Sequence, residues 1–236
     1  MRKVYKQLVK ESIDCGKGRV ERLMKALSIK GRRRGGYKAT TKKDSALARP
    51  ADLVGRIFKA DAPNKLWVAD LTYVKTRAQF AYVAFVVDVF AGTIVGWSVA
   101  SHMRKELVLD ALDIALWARR PKEGLVHHSD QGSVYLSIKY SQRLEDSGIS
   151  SSVGAVACAY DNALAESING LFKSEVIDMR IEEGGSWNSI AEVELAVAEW
   201  VKWFNEERLF GRIGYVAPLE YEQQYLEAQH DYAEAA

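Results

Sequence analysis

Between residues 66 and 100 the apolar positions fall in three short runs, L-W-V-A-D-L-T-Y, F-A-Y-V-A-F-V-V-D-V-F and G-T-I-V-G-W-S-V-A. Each is rich in β-branched or aromatic residues and is closed by a polar or glycine break, which predicts three consecutive strands in an antiparallel meander. Residues 105–120 change to helical spacing, with Leu107, Leu109, Leu112, Ile114 and Leu116 on a broad apolar surface. A short apolar strand over 124–128 and a helix over 137–147 come next. A fifth strand over 149–153, a loop through Tyr160 and a helix over 161–176, with Asp161 as its candidate N-cap, complete the pattern.

The resulting order, βββαβαβα, is that of a ribonuclease H-like α/β fold: a mixed sheet with helices on both faces. Beyond it, residues 190–204 carry Val193, Leu195, Val197, Trp200, Val201 and Phe204 at helical spacing, and Pro218 opens a last short helix. At the other end, Val4, Leu8 and Val9, then Val20, Leu23, Met24 and Leu27, flank a break at residues 13–16. Two short helices joined by a turn are predicted, with Arg19, Arg22 and Lys25 off the apolar stripe. A helix-turn-helix uses its second helix in the major groove and basic side chains on phosphates. The domains expected are a basic helix-turn-helix and DNA-binding arm (1–43), a linker (44–62), a ribonuclease H-like core (63–180) and a C-terminal helical extension (181–236).

Charge sharpens the N-terminal reading. Sixteen of the 33 Lys and Arg but only four acids lie in the first fifty residues, so that stretch carries +12 and the remainder −10. Such segregation points to a nucleic-acid-binding arm on an acidic body, with Arg32, Arg33, Arg34 and Lys38 in the glycine-broken stretch 30–43 as further contacts. A composition of 48% hydrophobic and 27% charged residues suits a globular chain. No apolar run is long enough for a membrane span and no signal-peptide pattern opens the chain, so a cytoplasmic, nucleoid-associated protein is expected. Cys15 and Cys158 are isolated, which argues against a zinc site or a disulfide framework.

Candidate chemistry lies in three acids on three elements. Leu66, Val68, Asp70 and Thr72 share one face of the first core strand, so Asp70 interrupts an apolar face, where a carboxylate is costly unless paired or bound to a cation. Asp130 follows the strand over 124–128 inside H-H-S-D-Q-G, where Gly132 permits a sharp turn. Glu166 lies on the last core helix, on a polar face with Asn162, Asn169 and Lys173, opposite Leu164, Ile168, Leu171 and Phe172. Hard carboxylate oxygens suit Mg²⁺ or Mn²⁺. Two such ions clamp the attacking and leaving oxygens of an in-line phosphoryl displacement. Water or a DNA 3′-hydroxyl then attacks directly, without a protein nucleophile.

These motifs resemble OrfB-type insertion-sequence transposases with a retroviral-integrase-like catalytic core. The likeness runs from near residue 2 to near residue 225. It rests on W-V-A-D-L-T-Y, H-H-S-D-Q-G-S, Y-D-N-A-L-A-E-S-I-N-G, E-W-V-K-W-F-N-E-E-R-L and G-Y-V-A-P. It implies that Asp70, Asp130 and Glu166 are a catalytic DDE triad, the last two separated by thirty-five residues as in that family. It further implies Mg²⁺-dependent cleavage at element ends, strand transfer, and a homo-multimer that synapses two ends. Lys173, on the polar face of Glu166, becomes a candidate phosphate contact. Met1 falls inside the first predicted helix, as though an upstream, overlapping reading frame supplied a further part. The chain departs from the family pattern at Ala91-Gly92, where Ser-Arg is usual, at Ala157 and Cys158, and at Phe210, where a polar residue is usual.

Other features have plainer readings. His127 and His128 flank Asp130 but face opposite ways on a strand; His128 and Asn162 are kept as supporting residues. Asp88 is read as a structural partner or a nearby acid, and Trp200, Trp203 and Phe204 as core rather than a base-stacking platform. Two alternatives to the transposase share these residues: a non-catalytic DNA-binding repressor of a full-length transposase, and a plain metal-dependent nuclease.

Overall fold

The apolar runs become β1 (Leu66–Lys75), β2 (Phe80–Asp88) and β3 (Ile94–Ala100). In the computed structural model, which describes residues 1–31, 50–55, 57–130, 132–154 and 162–234, β1 pairs antiparallel with β2, and β2 with β3. β4 (Val126–Ser129) and β5 (Ser150–Val153) add in parallel on the other side of β1, giving the order β3-β2-β1-β4-β5. Parallel neighbours need long crossovers, which α3 (Lys105–Arg119) and α4 (Ile138–Asp146) supply. The predicted mixed, ribonuclease H-like order is therefore the observed one.

Alternation sorts the strand side chains onto two cores. Leu66, Val68, Val83, Phe85 and Val87 meet Ile168 and Phe172 of α5 (Ala163–Phe172) and Val193, Val197, Trp200 and Phe204 of α7 (Ile190–Glu206). Trp67, Ala69, Ala84 and Val86 face the opposite way, onto Leu107, Ala111 and Leu112 of α3 and Tyr140 and Leu144 of α4. Each fully buried large side chain contributes roughly 1.5–3 kcal/mol relative to exposure, so both helix layers are held mainly by these stripes. α3 lies so close to β3 that a Cβ on Gly96 would sit 2.1 Å from the Ala111 carbonyl oxygen. A glycine there permits the approach.

Several expectations change. The helix over 161–176 is instead α5, a π-helical turn (Lys173–Ile177) and α6 (Asp178–Glu182). The wider turn re-aims the following side chains. Glu175 there accepts bonds from the Arg208 guanidinium, at 2.8 Å from Nε, and from Trp200 Nε1 at 3.2 Å. Asn162, not Asp161, occupies the cap position of α5; Asp161 lies outside the described residues. The last helix, α8 (Pro218–Glu234), is long rather than short. Trp200 and Phe204 are buried as core, whereas Trp203 is 41% exposed. Within the segment read as a linker, Val54 is buried and Phe58 packs against the α5–α7 core.

The N-terminal stripe does form a helical hairpin, α1 (Arg2–Lys10) and α2 (Lys17–Ala26). Of its apolar residues only Val20 is buried, while Leu23 and Leu27 are exposed. Arg19, Arg22 and Lys25 are exposed along α2. Arg32, Arg33, Arg34 and Lys38 lie outside the described residues, as do Ala157 and Cys158. Among the described residues no helix is long and apolar enough to cross a membrane.

Candidate catalytic carboxylate site

The parallel pairing of β1 with β4 ends at Ala69↔Ser129. Asp70 and Asp130 are the residues that follow this last pair, so the two acids stand side by side where the pairing ends. Beyond this point no strand among the described residues pairs with β1 on the β4 side. The Leu71 backbone N–H donates instead to Asp70 Oδ1 at 2.8 Å. Asp130 makes a similar local turn, accepting from the Gly132 N–H at 2.9 Å through Oδ1. A Cβ on Gly132 would lie 2.9 Å from that same oxygen, so the glycine of H-H-S-D-Q-G shapes the acid's surroundings.

α5 crosses this end of the sheet and is tied to β1 at two points. Asn162 Nδ2 donates to the Ala69 carbonyl at 2.8 Å, and Asn169 Nδ2 donates to Asp70 Oδ2 at 2.9 Å. Both asparagines are buried, and among the described residues neither Oδ1 has a hydrogen-bond partner. Glu166 lies between them on the same helical face, so the two bonds set its height above the aspartates. The polar face was legible in the sequence, but Asn169 was not singled out. Its signal was its position three residues after Glu166 on that face.

Electrostatics follow from this crowding. Burial, and then the neighbouring Asp130 charge, push the Asp70 carboxyl up to about 8 despite the bonds from Leu71 and Asn169; Glu166 adds to the rise. Burial also raises Asp130, opposed by the Gly132 bond and by His128, and it raises Glu166, with Asp130 contributing. Like charges close together disfavour full ionisation. Among the described residues, no three His, Cys, Asp or Glu stand in a metal-holding arrangement. The three acids gather where the β1–β4 pairing ends, without closing into a ready-made cage.

The other predicted residues divide clearly. His128 bonds Ser152 Oγ through Nδ1 at 2.9 Å, and that hydroxyl accepts from the Leu53 N–H, so the imidazole ties β4 to β5 and to the segment before β1. His127 points into the other core, with Nε2 3.0 Å from the Tyr140 hydroxyl, and burial lowers its pKa to about 3. Asp88 is structural: it is fully buried and accepts from the Asn64 and Phe90 N–H groups. Lys173, on the first residue of the π-helical turn, stands with Nζ 5.1 Å from the Tyr73 ring centre, and its charge interacts with Asp70. Arg19, Arg22 and Lys25 lie exposed on α2.

A mixed sheet with antiparallel β1–β3, parallel β4 and β5, and acids where β1, β4 and α5 converge defines the ribonuclease H-like integrase class. Solved structures agree on the fold. The catalytic core domain of HTLV-2 integrase in complex with magnesium matches 69% of this chain and 98% of its own, at TM-score 0.54 and 17% identity. A simian T-cell lymphotropic virus intasome matches 92% of this chain and 73% of its own, at TM-score 0.61 and 15% identity. Integrase core domain families match residues 60–157 and 147–218. The transposase assigned to insertion sequence element IS986/IS6110 of Mycobacterium tuberculosis is 52% identical over 95% of this chain and 81% of its own length. The transposase of IS629 from Shigella sonnei is 50% identical, over 95% and 74%. The chain belongs to the insertion-sequence transposases with an integrase core domain.

Proposed function

We propose that this transposase cuts DNA at the ends of its element and joins the freed 3′-hydroxyl to target DNA, with Asp70, Asp130 and Glu166 as ligands for Mg²⁺. The observation that carries the reading is the Asp70 carboxyl, buried beside Asp130 and pushed up to about 8. A divalent cation offsets such crowding, and an all-carboxylate donor set suits Mg²⁺ or Mn²⁺, with two ions as the expected number. The HTLV-2 integrase core of the same fold was solved in complex with magnesium. When bound, the ions polarise the scissile phosphate and lower the pKa of the attacking hydroxyl.

The chain's own residues do the rest. Asn169 and the Leu71 N–H hold the Asp70 carboxylate in one orientation, and Asn162 fixes α5, and with it Glu166, against β1. Lys173 takes a phosphate beside the acids. Arg19, Arg22 and Lys25, with Arg32, Arg33, Arg34 and Lys38, grip the DNA of the element end through its phosphates. A homo-multimer then brings two ends together, and the basic arm, core and C-terminal extension serve as its functional parts.

Strand transfer with labelled element ends tests the reading. The parent forms joined product in Mg²⁺ and none in EDTA, and Asp70→Asn, Asp130→Asn and Glu166→Gln each abolish it while still binding DNA. Binding with no product from the parent would identify a repressor. Nicking without joining would identify a nuclease, and equal activity in all four proteins would remove the triad.

A further inference from the structure

The hairpin end of β1 and β2 carries an aromatic group that the two cores do not absorb. Tyr73 and Phe80 meet edge to face at 5.5 Å, and Phe80 lies 6.4 Å from Tyr82. Tyr82 packs against the α3–α4 core, whereas Tyr73 and Phe80 belong to neither core and are 42% and 43% exposed. Cross-strand register explains the grouping: Tyr73 is opposite Tyr82, and Phe80 is opposite Lys75, so all three rings share one face. Two large exposed rings at the end of a strand that otherwise buries its aromatics call for an occupant.

Three observations define its chemistry. Tyr73 is three residues along extended β1 from Asp70, roughly 10 Å away and on the opposite face of the strand, in a stretch that no described strand pairs on the β4 side. Lys173 spans the gap, with Nζ over the Tyr73 ring and its charge felt at Asp70. Residues 71–81 contain Lys75 and Arg77 and no acid. Exposed rings beside cations, at a strand edge that no described strand pairs, match the way proteins hold unpaired nucleotides: bases stack on aromatic side chains while basic groups follow the phosphates.

We infer that Tyr73 and Phe80 form a stacking platform for an unpaired base of the DNA strand whose phosphate lies at Asp70, with Lys173 bridging the two. This rests on the function proposed above and adds to it a subsite that takes a base outside the duplex. Stacking is tolerant of base identity, so the platform sets how far the end must open rather than which sequence is read. Opening the terminal pairs exposes the scissile phosphate to the acids, and the rings offset the lost base stacking.

The test is a cycle between base and rings. Pre-cut element ends carrying a single abasic site at each of the last four positions of either strand are bound in EDTA, so no cleavage occurs, and affinity is read by anisotropy. At one position, removing the base weakens the parent on the order of tenfold and leaves the Tyr73→Ala, Phe80→Ala double variant unaffected. Tyr73→Phe behaves like the parent. Thermal unfolding of the double variant near the parent's temperature excludes a folding defect, as expected for exposed rings. Independent losses at every position would overturn the inference. So would a changed oligomeric state in the alanine variant without any base-specific loss, which would make the patch a protein interface. Cleavage of the same ends in Mg²⁺ and its loss in Asp70→Asn report separately on the function itself.

Discussion

Gly92 and Phe210 are two halves of one contact: a Cβ at residue 92 would lie 2.6 Å from Phe210 Cε1. Gly92 has φ +78 in the turn between β2 and β3, and Phe210 packs on Phe204 at 5.6 Å and pairs with Val216. Gly92→Ala adds a methyl into the ring and strains a left-handed backbone, so a loss of about 2–4 kcal/mol is expected. In urea denaturation, Gly92→Ala with Phe210→Ala loses less than the two single variants summed. Strict additivity would show that the contact does not couple them.

Asn169 is expected to separate metal binding from DNA binding. Asn169→Ala removes the donor to Asp70 Oδ2 and leaves a buried carboxylate under-bonded. Loss of such a supporting bond typically costs 10- to 100-fold in metal affinity or activity, so Mg²⁺-dependent cleavage falls by about that factor. Affinity for element ends in EDTA stays at the parent value. A fall in both would mean that Asn169 acts through the fold of α5.

Cation binding at the acids is expected to show in stability. A ligand that binds only the folded protein raises stability as its concentration exceeds its dissociation constant. Mg²⁺ therefore raises the melting temperature of the parent, where Asp70 and Asp130 crowd each other, and raises that of Asp70→Asn much less. Equal shifts in the two proteins would place the cation elsewhere.

His127 links the α4 core to pH. Its folded pKa, about 3, lies below the unfolded value near 6.5, because burial disfavours the imidazolium. Between these values the unfolded chain binds the extra proton. The stability that neutral His127 contributes is therefore full above pH 6.5 and is lost as pH falls towards 3. His127→Gln keeps an acceptor for Tyr140 and cannot titrate. Unfolding free energies from urea titrations of the parent should fall more steeply than those of the variant from pH 6.5 to 4.5, by up to about 1.4 kcal/mol per pH unit. Parallel curves would show that His127 is charged, or solvated, in the folded state.

Long, strongly periodic segments were readable from local pattern. The strands around Asp70 and before Asp130, and the apolar stripe of α5, express a two- or 3.6-residue repeat that any window of the chain contains. Register was the harder part. That Asp70 and Asp130 occupy adjacent positions follows from a parallel pairing across 59 intervening residues, with Ala69↔Ser129 its last rung, which no local pattern encodes. The π-helical turn was missed for a related reason. Its stabilising partners, Arg208 on Glu175 and Trp200 Nε1 on the same carboxylate, come from α7 and the segment after it.

By itself the sequence determined which segments are strands and helices, which of their faces are apolar, and which acids interrupt those faces, because each depends on residue type and short-range spacing. Only the tertiary structure decided that Asn169 bonds Asp70, that His127 and His128 serve different cores, that Gly92 makes room for Phe210, and that Tyr73 and Phe80 remain uncovered. Each of these depends on what a distant part of the chain brings within a few ångströms. That is fixed by how the helix layers close over the two faces of the sheet, not by the order of residues along either partner.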